Sequence, residues 1–471
     1  MSKGIGWDRG LKVAADGRGL VGHGGAVHLR ALADRTGLTS ALSMALGRAF
    51  DRRLDRGVVF VEIAMMIALG GSSLSDIRIF EHTRAVLGPP ISDSTVWRAL
   101  DEINAIAADR VERARAKTRR HVWRLLATRP QGFPQVTVAG KAMTGRTVLD
   151  IDASLVAAES DRDLAAATWK KGWGFHPILV TCENTGELLM VWLRPGDAGS
   201  NTATDHISVL RATVRQIPAD RRRRILIRID GAGASHAVTD WITTGDGHPS
   251  FTWEYSTGFT MNDTHEHALA QLTESAWEAS VQVDGGKIRP NGDVAELTGL
   301  LDLTSWPGMR LLVRREHPCA KHSRALTAFE QERGYRYQLI ATFAPDRPGR
   351  RIQWLEARHR GHVRVETKGV EAAKDTGLRR MPSKKYPINQ AWCQAIETAT
   401  DLRRWLQLLA LHDQDDLADA EPGTLRFRFL AVPARLVTHA RRKILRIPPD
   451  WPWATAITQA WDRIHALPAP T

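Results

Sequence analysis

Apolar and polar positions divide the chain into stretches of different period. Between residues 28 and 126 apolar side chains recur every three or four positions, the spacing of amphipathic helices. Gly37 splits 28–47 into two helices, read as a helical hairpin or a loose helix-turn-helix. A largely apolar helix over 58–69 stops at Gly70-Gly71, and 76–82 is a shorter piece. Ser92-Asp93-Ser94-Thr95 offers N-cap side chains to a helix beginning at Val96. After the Pro- and Gly-bearing linker 129–144 the period shortens. The run 147–155 (TVLDIDASL) predicts a strand, as do 175–182 (FHPILVTC) and 187–194 (ELLMVWLR), which are joined by the hairpin turn Glu183-Asn184-Thr185-Gly186. An amphipathic helix over 202–216 ends at Pro218, and the apolar strand 224–229 (RILIRI) stops on Asp230-Gly231.

From 250 to 345 the texture changes to short strands, at 251–255, 277–283, 294–297, 309–313 and 335–343. Turn residues such as Asp284-Gly285-Gly286 and Pro290-Asn291-Gly292 separate them, and a turn-rich stretch at 345–351 closes the region. Helical spacing returns over 353–374, and again over 388–411 after Pro387. The expected organisation is a helical N-terminal DNA-binding domain (1–130), a core in two parts (145–248 and 351–415), a β-rich insertion between them (249–350), and a basic C-terminal tail (416–471).

Asp150 and Asp152 lie two apart in an apolar strand, so both point to one face. Burying an unpaired carboxylate costs several kcal/mol, so such acids are paired, protonated or bound to metal. Asp230 ends the fourth strand, and an acid on the 353–374 helix would be the third from a distant part of the chain. For Glu366 the gaps are 230 − 152 = 78 and 366 − 230 = 136 residues. Strand meander, helix, and a further strand with Asp on the first and at the end of the fourth form the layout of an RNase-H-like core. The expected fold class is therefore α/β, an RNase-H-like catalytic core interrupted by a β-rich insertion, with a helical N-terminal domain and a helical C-terminal region. Carboxylates gathered in this way suit hard divalent cations, which in pairs serve phosphoryl transfer on nucleic acid.

Charge supports that direction. The balance is 65 − 52 = +13, with a pI near 10.0, and nucleic acid is the commonest polyanionic partner of a basic chain. Arg110, Arg113, Arg115, Lys117, Arg119, Arg120 and Arg124 place seven basic residues in fifteen positions of one predicted helix, read as a phosphate-tracking face. Cys182, Cys319 and Cys393 are odd in number and lack metal-ligand spacing, which argues against structural zinc and for a reducing compartment. No apolar run reaches the length of a membrane span.

The blocks LDIDASLVAAES, GWGFHPILV, LRPGDAGSNTATDHI, RIDGAGAS and ARHRGHVRVE…AAKDTGL…NQAWC resemble the DDE transposases of bacterial insertion sequences. The insertion sequence thirteen-eighty family, in its actinobacterial form, is the group they resemble most. The resemblance implies cutting and joining of DNA at insertion-sequence ends, with a 3′-hydroxyl carrying out strand transfer. It implies Mg2+ (with Mn2+ able to substitute), double-stranded DNA with terminal inverted repeats and target DNA as partners, and a homodimer on that DNA. A cytoplasmic, nucleoid-associated bacterial protein with no membrane partner is expected. Carried over by position, the catalytic acids are Asp152, Asp230 and Glu366, with Asp150 as a competitor or further metal ligand and Glu356 and Glu371 as fallbacks for the third. Lys368, Lys374, Arg360, Arg364 and His362 would contact DNA, together with Arg113, Lys117 and Arg120. In related families an Arg or Tyr precedes the Glu and a Lys follows by seven. Here His362 precedes Glu366 by four, position seven is Ala373 and Lys374 comes at eight. One residue is about 100° of helix rotation, so either Lys368 takes the phosphate role or the helix is locally adjusted. Trp306, in the insertion, is read as a core tryptophan. A nuclease of the same fold without strand transfer, and an inactive DNA-binding descendant, remain open beside the transposase.

Overall fold

The computed structural model describes residues 11–47, 54–199, 202–231, 235–319, 326–345 and 351–470. Among them a nine-stranded sheet forms the centre. Its strands are β1 (Thr147–Ala153), β2 (Ile178–Cys182), β3 (Glu187–Trp192), β4 (Arg224–Ile229), β5 (Thr252–Phe259), β6 (Glu278–Val281), β7 (Ile288–Glu296), β8 (Arg310–Glu316) and β9 (Arg336–Phe343). Across the sheet they run β6-β7-β8-β9-β5-β4-β1-β2-β3. The first three make an antiparallel meander. β4 lies parallel beside β1, and β5 parallel beside β4. The remaining strands continue antiparallel from β5 outwards.

The helices include α1 (Ala26–Arg35), α2 (Leu38–Gly47), α3 (Arg56–Ala68) and α4 (Asp93–Asp101), which pack on one another and on α9, and α5 (Ala105–Ala127), α6 (Ala203–Gln216), α7 (His236–Thr243), α8 (Ile352–Arg360) and α9 (Tyr386–Ala410), which cover both faces of the sheet. The two-sided cover explains the near-continuous apolar runs of the parallel strands, since Ile225, Leu226, Ile227 and Ile229 are all buried. No helix among the described residues is long and apolar enough to cross a membrane.

Two expectations change. The strand near 251–255 belongs to the middle of the sheet, because β5 takes its register from β4, with Arg224 opposite Thr252 and Ile229 opposite Thr257. Sequence texture at this boundary could not show whether β5 pairs inwards or outwards. Pro290-Asn291-Gly292, expected as a turn, lies inside β7. Pairing with β6 is irregular there, and an irregular ladder tolerates a proline that has no N–H to give. The turn expected at 345–351 lies largely outside the described residues.

The N-terminal helices are joined to the sheet by buried charge. Arg115 and Arg119 on α5 are fully buried. Arg115 Nε donates to Asp401 on α9 at 3.0 Å, and its Nη2 to the Leu188 carbonyl of β3 at 3.1 Å. Arg119 donates to Glu187 of β3 at 2.9 Å and to Asp401 at 2.6 Å. The indoles of Trp123 and Trp405 complete the Glu187 carboxylate at 2.6 and 2.7 Å. Burial alone would push the Glu187 carboxyl up, but Arg119 and these donors hold it below the ordinary range. The expected basic tail is also folded. It forms an antiparallel pair, Ala434–His439 with Arg442–Arg446, and a helix, Ala454–Ala466. That helix meets α1, where a His28 ring nitrogen lies 2.8 Å from the Ile457 carbonyl.

Candidate active site

β1 and β4 run parallel with Ile151 opposite Ile229. The next position on each is therefore Asp152, half-buried at the end of β1, and Asp230, exposed just past β4. Glu366 begins the turn after α8 and is exposed. The three carboxylates share one field. Burial pushes the Asp152 carboxyl above its ordinary value and the negative charges of Asp230 and Glu366 add to the rise, while His362 and the Ala153 N–H oppose it.

Asp150 is differently placed. It is 1% exposed, and Arg228 grips both its oxygens at 2.7 Å from the neighbouring register position. His362 Nδ1 lies 2.9 Å from the same carboxylate. Burial raises the Asp150 carboxyl, yet Arg228 and His362 outweigh it and hold the group below the ordinary range. With its oxygens occupied, Asp150 stands as an internal counter-ion. The strand-face argument found both acids, but could not see that an arginine in RILIRI would neutralise one of them.

The segment that carries Glu366 departs from a plain helix. After α8 come a 3-10 turn at Gly361–Val363, a π-helical turn at Glu366–Glu371 and another at Lys374–Leu378. A π-turn takes one more residue than an α-turn. One such turn lies between Glu366 and Lys374, so this segment is locally adjusted, and Lys374 itself is held by Glu371 at 2.8 Å. Two glycines let this segment approach the sheet. A Cβ on Gly361 would stand 2.5 Å from Arg228 Nη1, and one on Gly369 would stand 2.9 Å from Thr181 Cγ2 of β2.

Of the fallback acids, Glu356 is fully buried and paired with Arg314 at 3.0 Å and Arg360 at 2.7 Å. It has no open face for a metal. Glu371 is exposed and holds Lys374 at 2.8 Å. Several expected DNA contacts are likewise engaged within the protein. Arg360 is bound by Glu356 and the Val281 carbonyl. Arg364 holds Glu183 at 2.6 Å and also meets Asp284, and His362 serves Asp150. Lys368 remains extended into solvent, 3.8 Å from the exposed Asp419.

Among the described residues no three His, Cys, Asp or Glu side chains converge tightly enough to hold a metal ion as they stand. The donor chemistry nevertheless suits a hard cation. Asp152, Asp230 and Glu366 offer carboxylate oxygens from three separate elements, and their mutual repulsion is what a divalent cation would relieve.

A family model described as transposase DDE domain group 1 matches residues 4–469. The chain belongs to this transposase family. No curated protein matches it. Among solved structures, the cryo-EM structure of piggyBac transposase synaptic complex with hairpin DNA is similar over 86% of this chain and 78% of that one, at 8% identity and a TM-score of 0.41.

In this transposase the basic residues of α5 sort by face. Arg115 and Arg119 point inwards, contrary to a reading in which all seven follow phosphate. Arg110, Arg113, Lys117, Arg120 and Arg124 are exposed, and their three- and four-residue spacing makes one stripe about 21 Å long. Arg113 holds Asp109 at 2.6 Å. The stripe lies towards the start of β4, since the positive charge of Arg120 helps hold the Arg222 guanidinium below its usual value, after burial. Asp230 is at the other end of that strand, about 20 Å away. Trp306 is half-buried, packs against the edge of the core, and stacks on His236 with ring centroids 3.5 Å apart. His236 opens α7, just after the Asp230 loop. Sequence reasoning passed over residues 161–171 and so over the mixture of aromatic and basic side chains at the turn Thr168-Trp169-Lys170-Lys171-Gly172-Trp173.

Proposed function

We propose that this chain is a DDE transposase that cuts and joins DNA at the ends of an insertion sequence of the thirteen-eighty group, in its actinobacterial form, on an RNase-H-like core. The observation that carries the reading is the parallel register of β1 and β4, which sets Asp152 and Asp230 at adjacent strand ends, with Glu366 on a third element adding to the rise of the Asp152 carboxyl. The order β3-β2-β1-β4-β5, an antiparallel meander flanked by two parallel strands, supports the core assignment. Asp152, Asp230 and Glu366 would hold magnesium, with manganese able to substitute. Bound in pairs, such ions activate the attacking oxygen and stabilise the leaving one. The protein's own groups position the reaction. Arg228 and Asp150 lock β1 to β4 so that the two aspartates stay side by side, and His362 links that lock to the Glu366 turn. Water breaks the phosphodiester at the transposon end and frees a 3′-hydroxyl, which would then attack a phosphodiester of the second strand or of the target DNA, forming a new ester as the 3′-oxygen of the attacked strand leaves. Joining two ends requires a homodimer on DNA.

The test is incubation of the full chain with a labelled, flanked transposon end in magnesium, beside Asp230→Ala. Cleavage at the end and a joined product, both lost in the variant, are expected. Cleavage without a joined product would reduce the protein to a nuclease. Binding without cleavage by either protein would leave an inactive descendant.

The exposed stripe of α5 would track phosphates remote from the cut. Lys117→Ala with Arg120→Ala should then weaken end binding at every sequence and lower the slope of log K against log salt by about 1–2. An unchanged slope in a salt titration would remove α5 from the DNA interface.

A further inference from the structure

The loop between β1 and β2 leaves the end of the strand that carries Asp152 and forms a small sheet of its own. Trp173–Phe175 is its middle strand, paired with Val156–Ala157 on one side and Ala166–Ala167 on the other. At the tip, Lys171 N–H donates to the Thr168 carbonyl at 3.0 Å, and Thr168 N–H to the Gly172 carbonyl at 2.7 Å. Trp169 is 73% exposed and Trp173 50%. Lys170 lies 4.9 Å over the Trp169 ring. A soluble surface tolerates single exposed apolar side chains, but two tryptophans four residues apart, with two lysines between them, form an aromatic and cationic tip. Lys171 has a φ of +60°, which a glycine would adopt at less cost.

The base of the hairpin is held firmly. Arg162 donates to the Met381 and Ser383 carbonyls, each at 2.8 Å, and Lys384 reaches Asp161 at 2.5 Å. Asp163 N–H donates to the Lys384 carbonyl at 2.9 Å. The hairpin is therefore tied both to the strand of Asp152 and to the chain that follows the Glu366 segment. His176, directly after the middle strand, is close enough to feel the charge of Asp230, which opposes the fall that burial causes in its pKa. Leu179 stands opposite Asp152, and Trp173 precedes it by 179 − 173 = 6 residues, about 20 Å if fully extended. That is the length of about six base pairs of duplex.

We infer that this tip, Trp169, Lys170, Lys171 and Trp173, is a stacking contact for unpaired bases of the DNA beside the cut. The inference rests on the transposase reading above. An intact duplex hides its base faces, whereas cutting and strand transfer open the end. Indole rings then find bare bases, and the lysines meet the adjoining phosphates. Stacking of this kind accepts any base, because every base has a π-face. Since the hairpin base is already fixed, little ordering opposes binding at its tip.

The experiment compares binding of the full chain to two versions of the same transposon end, fully paired and forked, the fork carrying unpaired flanking bases with 2-aminopurine among them. Calcium replaces magnesium so that binding is read without cleavage. Wild-type protein should prefer the fork and quench the 2-aminopurine. Trp169→Ala and Trp173→Ala should each weaken fork binding by about 5- to 100-fold and lose the quench, while paired-end binding and Tm stay unchanged. Trp169→Phe should restore most of the preference. Wild-type cleavage of ends together with unaltered fork binding by the alanine variants would overturn the stacking role and leave the transposase reading standing. Equal losses on fork and duplex would make the tip a general charge contact, and a change in oligomeric state would make it a protein interface. Either overturns the inference. Failure of the wild type to bind or cut any end would remove the transposase reading and this inference with it.

Discussion

Asp152→Asn should reduce cleavage of end-containing DNA by on the order of 10²–10³-fold or more, with the fold intact and DNA still bound. Its effect on stability should be opposite to the usual one. The Asp152 carboxyl is raised in the folded protein by burial and by Asp230 and Glu366. A raised carboxyl favours the folded state below its unfolded value and weighs against it once pH has risen through the folded value. At neutral pH the charged Asp152 is therefore a cost, and a neutral amide removes it. The metal-free variant should melt slightly above wild type, and magnesium should narrow the difference by stabilising wild type alone. Asp150→Asn should behave in the reverse way. It takes from Arg228, fully buried, the carboxylate that grips it with both oxygens and leaves Glu183 as its remaining acidic partner, at a cost of about 3 kcal/mol. The Asp150 carboxyl is held low, so its contribution is present above the ordinary carboxylate range and fades as pH falls through the folded value. The acid limb of a Tm-against-pH curve should be shallower in Asp150→Asn than in wild type. A large loss of cleavage in Asp150→Asn at unchanged Tm would return that residue to the list of metal ligands.

Arg119→Met should destabilise the whole chain by about 3–5 kcal/mol. The substitution leaves Glu187 and Asp401, both fully buried, facing each other with one cation fewer. Arg115 still reaches Asp401 at 3.0 Å, but Glu187 keeps only its neutral donors, the two tryptophans among them. Replacing the partner as well removes part of the orphaned charge. Arg119→Met with Glu187→Leu should therefore be more stable than Arg119→Met alone, although the double variant breaks more contacts. Thermal or urea unfolding of the three proteins decides the order. A single variant as stable as the double would mean that the cluster holds its charges by solvent rather than by pairing.

Asp150 and Asp152 stood out in the sequence because a carboxylate inside an apolar run is physically costly, whereas Glu366, exposed in a charged segment, was reached only through the family resemblance. The meander and the helix before β4 were legible from period and turn chemistry. The arginines were not. Arg115, Arg119 and Arg228 look like surface charge when counted in sequence, and only tertiary packing shows that each answers a buried carboxylate. Arg360, Arg364 and His362 were read outwards for the same reason and prove to be engaged within the protein. The offset at Lys374 could be noticed but not resolved, since a π-turn leaves no mark in residue type. The place of β5 was hidden by the resemblance between one short strand and the next.

The sheet runs without a break from the meander to β6, and this bears on how DNA reaches the acids. The β6–β9 strands are no hinged flap. β9 joins β5 over five paired positions, each backbone hydrogen bond there contributing about 1 kcal/mol, and Leu339, Ile340 and Ala341 are buried at the seam. Prising that seam open would lose these bonds and expose the apolar surface together. Bending 20–30 base pairs through a wide angle costs about 1–6 kcal/mol. Of the two bodies DNA is the more pliant, so a duplex entering this plate would be the one to curve, and sequences that flex easily at the element's ends would be cut faster than stiff ones.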